Sequence, residues 1–400
     1  MEVLRTKYLD ILKEEKDSNF IKILTGIRRV GKSTILDQFK QTFLNNENII
    51  ELNFNEAENV EKYNWKALLT YIRSQSKPNV TNYVFLDEIQ EIKEFEKTII
   101  SLFEDKKVKY DIFITGSNSR MFSTELVTLF TGRTMEIQVL PFSYKEIVES
   151  TLIDKSTDNF NTYLLQGGIG LVISSYNNFS RLKKLLEIVL VGCIEKDIKI
   201  RHRIKYIQNI RAIAEYLYNH IGRNISALNL ENYLKSNKET KISANTIWNY
   251  FNWLTDAFLF YKVRYFNLKG KSILSTKTKY YASDLGLLTI GTNDALSFNL
   301  GYRLENAVFL KLIEEGYQVY TGQDRYGNEI DFVIKKNNVI KYIQVCDKLN
   351  DDNFFRESWS LLNMHDGNEK IIITLSIEVS DTKGIKMVQM EDFLLDKVKV

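Results

Sequence analysis

The sequence predicts an α/β protein that opens with a parallel sheet carrying a phosphate-binding loop at its carboxyl edge and continues through a helical segment into strand-rich units. Three observations predict it. Gly26-Ile27-Arg28-Arg29-Val30-Gly31-Lys32-Ser33-Thr34 fits the pattern G-x-x-x-x-G-K-[ST], and it lies between the apolar run Phe20 to Thr25 and apolar residues at helical spacing, Ile35, Leu36, Phe39 and Phe43. Tyr83-Val84-Phe85-Leu86-Asp87-Glu88 is a second apolar strand, ending in two carboxylates. Tyr110 to Asn118 is a further apolar strand, finishing in the small polar residues Thr115-Gly116-Ser117-Asn118.

The first of these has the form of a Walker A loop. Its glycines let the backbone fold round a di- or triphosphate with several amide N–H groups pointing inward, and the start of the next helix adds the positive end of its dipole. Gly26, Arg28, Arg29, Val30, Gly31, Lys32, Ser33 and Thr34 are therefore the candidate nucleotide-binding residues. Lys32 would reach the β- and γ-phosphates of ATP. The Ser33 hydroxyl would ligate Mg²⁺, with Thr34 the less favoured ligand.

Asn48 to Phe54 is a strand, followed by a helix with Trp65, Leu68, Leu69 and Ile72 on one face. In open α/β sheets the ligand lies beyond the carboxyl ends of the parallel strands, so Asp87 is delivered to the edge that carries the loop. There it can hold Mg²⁺ through water, and Glu88 can polarise a water in line with the γ-phosphate. The competing reading is that the carboxylate pair caps the helix after it. Phe95, Ile99, Leu102 and Phe103 mark that helix, and at the end of the next strand Ser117 or Asn118 could hydrogen-bond the γ-phosphate or simply form a turn. Arg133 stands just before a fifth strand that runs to Pro141.

Bulk properties are those of a folded protein. At 400 residues the chain is long enough for two or three domains, and 44% hydrophobic with 26% charged residues leaves no case for disorder. A net charge of +3 makes attraction to nucleic acid a matter for a local patch, not for the whole molecule. The 2 cysteines, Cys193 and Cys346, exclude a disulfide scaffold and lack metal-ligand spacing. With no signal-peptide pattern at the start and no apolar stretch of membrane-spanning length, a cytoplasmic protein with no membrane partner is expected.

The strings TGIRRVGKST, YVFLDEIQ, DIFITGSNS and LFTGRTMEIQVLPFSYKEI resemble the AAA+ ATPases of the archaeal-type group. The resemblance implies that Lys32, Asp87 and Glu88 bind and hydrolyse ATP, that Ser117 or Asn118 is the sensor, and that Arg133 completes a neighbouring subunit's site in a homo-oligomer. An arginine suits that role because its planar, always charged fork can neutralise charge on the transferring phosphoryl group.

Beyond Ser143 a helical stretch to about Ile194 reads as a lid over the nucleotide, with Gly170 where relatives usually have proline. Lys196 to Lys205 is a basic run with interleaved apolar residues, either a contact for an acidic partner or the solvated face of a connecting helix. Helical patterns at Ile210–Leu217, Ser226–Leu234 and Ser243–Phe258, then two strands around Gly270, give the outline of a winged helix. The third helix carries no Lys or Arg, so duplex DNA would be held through wing residues Lys269, Lys271, Lys277 and Lys279. Protein docking is the rival reading.

The last segment resembles the restriction-endonuclease-like fold, and the likeness to the ATPase relatives continues through Glu329 to Ile334 and Tyr342 to Cys346. Active nucleases of that fold would need acids at Asp331 and Gln344 and a lysine at Cys346, so two of three positions are lost. Glu305 and Glu329 could compensate in part. The expected architecture is therefore an AAA+ P-loop NTPase domain (1–142), a helical lid and connector (143–205), a winged-helix-like domain (206–292) and a degenerate restriction-endonuclease-like domain (293–400). Its expected activity is ATP hydrolysis coupled to domain or subunit rearrangement. The alternative is a slow nucleotide-gated switch, of signalling or defence type, that acts through protein partners.

Overall fold

The computed structural model describes residues 3–118, 130, 132–150, 159–173, 175–176, 178–236, 242–270, 272–292, 300–324 and 327–400. The chain divides into two compact units, one of residues 1–140 with 256–258 and one of residues 141–255 with 259–400.

In the first unit, α1 (Thr6–Glu14) precedes β1 (Ile21–Thr25) and α2 (Lys32–Phe43). Next come β2 (Asn48–Asn53), α3 (Ala57–Lys62), α4 (Trp65–Gln75) and β3 (Thr81–Asp87). The unit is completed by α5 (Phe95–Phe103), β4 (Lys109–Gly116) and β5 (Thr134–Gln138). Among the described residues these strands form a five-stranded sheet in the order β2-β3-β4-β1-β5, with every neighbour parallel. Helices cover both faces, which is why the inner strands β1, β3 and β4 read as nearly continuous apolar runs. On one face Val84, Leu86, Ile112 and Ile114 pack with Leu68, Ile72, Ile99 and Leu102. On the other, Phe85 stacks on Phe113 with centroids 4.7 Å apart, and Phe113 meets Phe39 of α2 at 5.3 Å. Truncating a buried ring such as Phe113 to alanine costs about 3–5 kcal/mol in such cores.

One ion pair lies inside this core. Lys22 of β1 bonds Asp111 of β4, both essentially without solvent contact, and Asp111 also accepts from the backbone of Asp17 at 2.8 Å. Removing one partner of such a pair leaves an uncompensated buried charge, which typically costs about 3–5 kcal/mol.

The second unit starts with helical segments at Tyr144–Glu149, Asn159–Gln166 and Phe179–Gly192, the last continuing as a π-helix over Cys193–Ile200. Helices Ile207–Asn219, Ala227–Ser236 and Ala244–Asp256 follow, close to the three helical patterns in the sequence. The glycine pair after Gln166 has a specific partner. Gly167 has φ +69°, and Asp284 accepts from the backbone of Gly168 at 2.6 Å and of Gly286 at 2.8 Å. A side chain at Gly167 would collide with that carboxylate, and one at Gly168 with the carbonyl of Phe142. The segment expected as a lid thus packs on the region around Asp284, inside the second unit.

The expected wing is the hairpin of β6 (Phe260–Asn267) and β7 (Ser272–Ala282). It joins β8 (Gln318–Gln323), β9 (Glu329–Lys336), β10 (Val339–Asn350), β11 (Glu369–Glu378) and β12 (Lys386–Gln389). Among the described residues these make one seven-stranded sheet, in the order β12-β11-β10-β9-β8-β6-β7. The joint is a parallel pairing of Tyr265 with Thr321, which no local sequence pattern announces.

Candidate nucleotide-binding site

The loop between β1 and α2 is built by backbone that few residues tolerate. Gly26 has φ +141°, and a Cβ there would lie 2.3 Å from the carbonyl oxygen of Val139. Gly31 has φ +107° at the cap of α2 with open space around it, and Arg29 has φ +67°. Lys32, buried at the start of α2, donates from its ammonium to the carbonyls of Gly26 at 2.9 Å and Ile27 at 3.3 Å. The loop therefore closes on its own lysine. Its ammonium also lies 3.8 Å from Glu88.

β3 ends at Asp87, one residue earlier than a strand carrying both carboxylates would. Glu88 takes the left-handed conformation, φ 53° and ψ 44°, at the start of a short 3-10 turn, and its side chain makes no capping bond. The helix-cap reading of the pair is therefore excluded. Asp87 Oδ2 accepts from the Ser33 hydroxyl at 2.8 Å, and Oδ1 accepts from Thr115. Glu88 Oε2 accepts from Ser117 at 3.0 Å and from Gln90.

Electrostatics separate the two acids. Burial raises Asp87 above the ordinary carboxylate range, with the Glu88 charge adding to it and hydrogen bonds from Thr115 and Ser33 opposing it. For Glu88 burial also pushes upward, but Lys32, Arg28 and the bonds from Gln90 and Ser117 together outweigh it and hold the carboxyl below its usual value. Glu88 is thus an ionised, buried acceptor.

The structure brings Lys32, Ser33, Asp87, Glu88 and Ser117 together, with Asn118 buried at the end of β4. It keeps Arg133 apart. The Arg133 carbonyl accepts from Ile21 at 2.8 Å, at the start of β1, and the strand's 5 residues separate it from the loop. At ~3.3 Å per residue that is about 16 Å, so Arg133 cannot serve the site of its own chain. Thr115 and Gln90, which hold the two acids, were not singled out by sequence reasoning. A hydroxyl near the end of β4, a strand that the apolar pattern sets beside the one ending in Asp87, was the available signal.

The residues fit a magnesium nucleotide. Ser33 and Asp87 supply the hard oxygen donors that Mg²⁺ prefers, and the ion ordinarily takes one or two protein ligands with phosphate and water filling the rest. Among the described residues no group of three His, Cys, Asp or Glu could hold a metal, so nothing competes as a self-contained cage. The glycine backbone and Lys32 offer the matching phosphate cradle.

The expected wing cations fare differently. Lys279 is buried and paired with Glu329 at 3.2 Å and Glu305 at 3.7 Å, which removes it from any phosphate contact. Lys277 donates to Gln323 at 2.9 Å, Lys269 is exposed, and Lys271 lies outside the described residues. The acid that remains of the nuclease pattern, Asp331, is likewise engaged by protein contacts. Asp331 accepts from the backbone of Val345 at 2.9 Å, and Gln344 accepts from the backbone of Asp331 at 3.4 Å.

A parallel sheet with this loop and acid pair at its carboxyl edge defines a P-loop nucleotide-binding protein. Residues 18–148 match the family model of an AAA domain, and residues 157–295 match one described as a domain of unknown function (DUF8612). An uncharacterized protein of Haemophilus influenzae is 32% identical over 420 residues, covering 98% of each chain. Uncharacterized protein MJ1544 of Methanocaldococcus jannaschii is 30% identical over 400 residues, covering 96% of this chain and 85% of that one. The chain belongs to this family of AAA-domain proteins with a C-terminal domain of unknown function. Its fold is shared with a solved structure, the Walker-type ATPase PABY2304 of Pyrococcus abyssi, at a TM-score of 0.52 and 17% identity over 72% of this chain and 96% of that one.

Proposed function

We propose that the protein binds Mg·ATP through Gly26 to Thr34 and hydrolyses it, with Glu88 as the base that polarises the attacking water. The observation that carries this is the separation of the two adjacent acids: Asp87 faces Ser33, and Glu88, held ionised, faces Lys32. Magnesium, when bound, would supply charge neutralisation on the phosphates. Lys32 would exchange its loop carbonyls for phosphate oxygens, Ser33 and Asp87 would hold the ion, and Ser117 or Asn118 would sense the γ-phosphate. The test is steady-state phosphate release by the wild-type chain with Mg²⁺ and ATP. No turnover and no nucleotide binding would sink the proposal.

A second reading, a slow nucleotide-gated switch, is favoured by the bonds from Gln90 and Ser117 to Glu88, because the carboxylate must be freed before it can act on water. Fast turnover without a partner would argue against it. In either case the cytoplasm is the proposed compartment, Arg133 is proposed to act on a neighbouring subunit, and turnover is proposed to rearrange units or subunits. The winged-helix-like and restriction-endonuclease-like readings of the second unit remain part of the proposal, with DNA held by wing lysines such as Lys269 and no nuclease chemistry. Gln344 and Cys346 occupy positions where that fold needs an acid and a lysine. Cleavage of DNA or RNA that Asp331→Ala abolishes and Lys32→Ala does not would overturn that part.

A further inference from the structure

We propose that Thr115 is a positioning residue for the magnesium nucleotide: its single hydroxyl ties the metal-holding carboxylate of Asp87 to the backbone of Glu88. The inference rests on the nucleotide-site reading above and deepens it. Thr115 lies on β4 with no solvent contact, next to the end of β3. Its hydroxyl donates to Asp87 Oδ1 and accepts the backbone N–H of Glu88 at 2.9 Å. Both capacities of the hydroxyl are used, so its proton direction is fixed.

Two consequences follow from these bonds. With Oδ1 engaged, Asp87 presents Oδ2 to Ser33, the other oxygen ligand proposed for the ion. The Glu88 N–H bond secures a non-glycine residue in left-handed backbone, a conformation that costs roughly 1 kcal/mol or more and persists only where neighbours impose it. That backbone turn directs the Glu88 side chain toward Lys32, Gln90 and Ser117 instead of letting it continue along the strand. One hydroxyl thus sets the angle between the metal arm and the water arm.

The experiment compares Thr115→Ser, Thr115→Val and Thr115→Ala in the full chain. The measurements are binding of a fluorescent ATP analogue across a Mg²⁺ titration, steady-state turnover, and melting temperature. Thr115→Ser should stay within about threefold of wild type, whereas both hydroxyl-free variants should lose about 10- to 100-fold in apparent Mg²⁺ affinity or turnover, the usual loss when a ligand's supporting partner is removed. Their analogue affinity in EDTA should stay near wild type, because the loop itself is untouched. Hydroxyl-free variants with wild-type Mg²⁺ dependence and turnover would overturn the proposal, and so would Thr115→Ser as impaired as Thr115→Val. Failure of both hydroxyl-free variants to fold, with Thr115→Ser intact, would make the hydroxyl a folding element and also overturn it. A wild-type chain that binds no Mg·ATP would instead overturn the site reading, and one that binds without turnover leaves the Mg²⁺ titration as the deciding measurement.

Discussion

Arg133 donates from Nη1 to Glu104 Oε1 at 2.9 Å on the surface of the nucleotide-binding unit, at the edge of the sheet opposite the phosphate loop. Both side chains are substantially exposed, and an exposed pair of this kind contributes about 0–1 kcal/mol. Arg133→Ala should therefore leave the melting temperature nearly unchanged. If the guanidinium serves a neighbour's site, turnover should fall by about 10³-fold, the lower end of what such an arginine supplies. Mixing Arg133→Ala with Glu88→Gln subunits should restore part of it, because some interfaces then hold both intact partners. A mixture that co-assembles and stays as inactive as its parents would exclude action across the interface.

Lys32 and Glu88 separate binding from chemistry. Lys32→Ala removes the cation that faces the loop carbonyls and should abolish nucleotide binding. Glu88→Gln keeps the shape and can still bond Ser117, but an amide cannot take a proton from water, so binding should persist while turnover falls by about 10²-fold or more. Since Lys32 and Arg28 keep Glu88 ionised below the usual range, wild-type turnover should show no loss from Glu88 protonation near neutral pH. Wild-type turnover rates in Glu88→Gln would show that another group activates the water.

The internal pairing of Lys279 takes one of the expected wing cations away from DNA, whereas Lys269 stays exposed. Lys269→Ala should reduce the salt slope of DNA binding by roughly one unit. A steep slope unchanged in Lys269→Ala would place the nucleic-acid surface elsewhere.

The first unit was legible because its signals are local. The inner strands β1, β3 and β4 are apolar runs covered on both faces, and the glycines at 26 and 31 occur where only glycine fits or where φ is positive. The left-handed turn at Glu88 was not legible, since glutamate has no preference for it and only the bond from a neighbouring strand accounts for it. The three helices after 206 also followed from periodicity. The destination of the hairpin did not, because strand length and turn chemistry fix that β6 pairs with β7 but not that β6 also pairs with β8. Lys279 showed the same limit. In sequence it is one of several lysines near a turn, and only the fold brings Glu305 and Glu329 to it.

That buried cluster supports a prediction about pH. Burial, and then the charge of Glu305, pushes Asp331 up to about 7, against the opposing pull of Lys279 and the Val345 N–H. Lys279 is held above its ordinary value, since Glu305, Asp331 and Glu329 together outweigh its burial. An acid whose folded pKa exceeds its unfolded value of about 3.9 binds its proton more tightly in the native state. Its stabilising contribution is therefore complete below about pH 4 and is lost as pH rises through about 7. Asp331→Asn stays neutral throughout, so its melting temperature relative to wild type should be higher at pH 8 than at pH 5. Lys279→Met leaves the carboxylates without their buried cation and should cost about 3–5 kcal/mol at pH 8, with a smaller loss at pH 5 where Asp331 carries its proton. Calorimetry of the full chain at the two pH values measures both differences. Equal differences at pH 5 and pH 8 would show that Asp331 does not titrate between them.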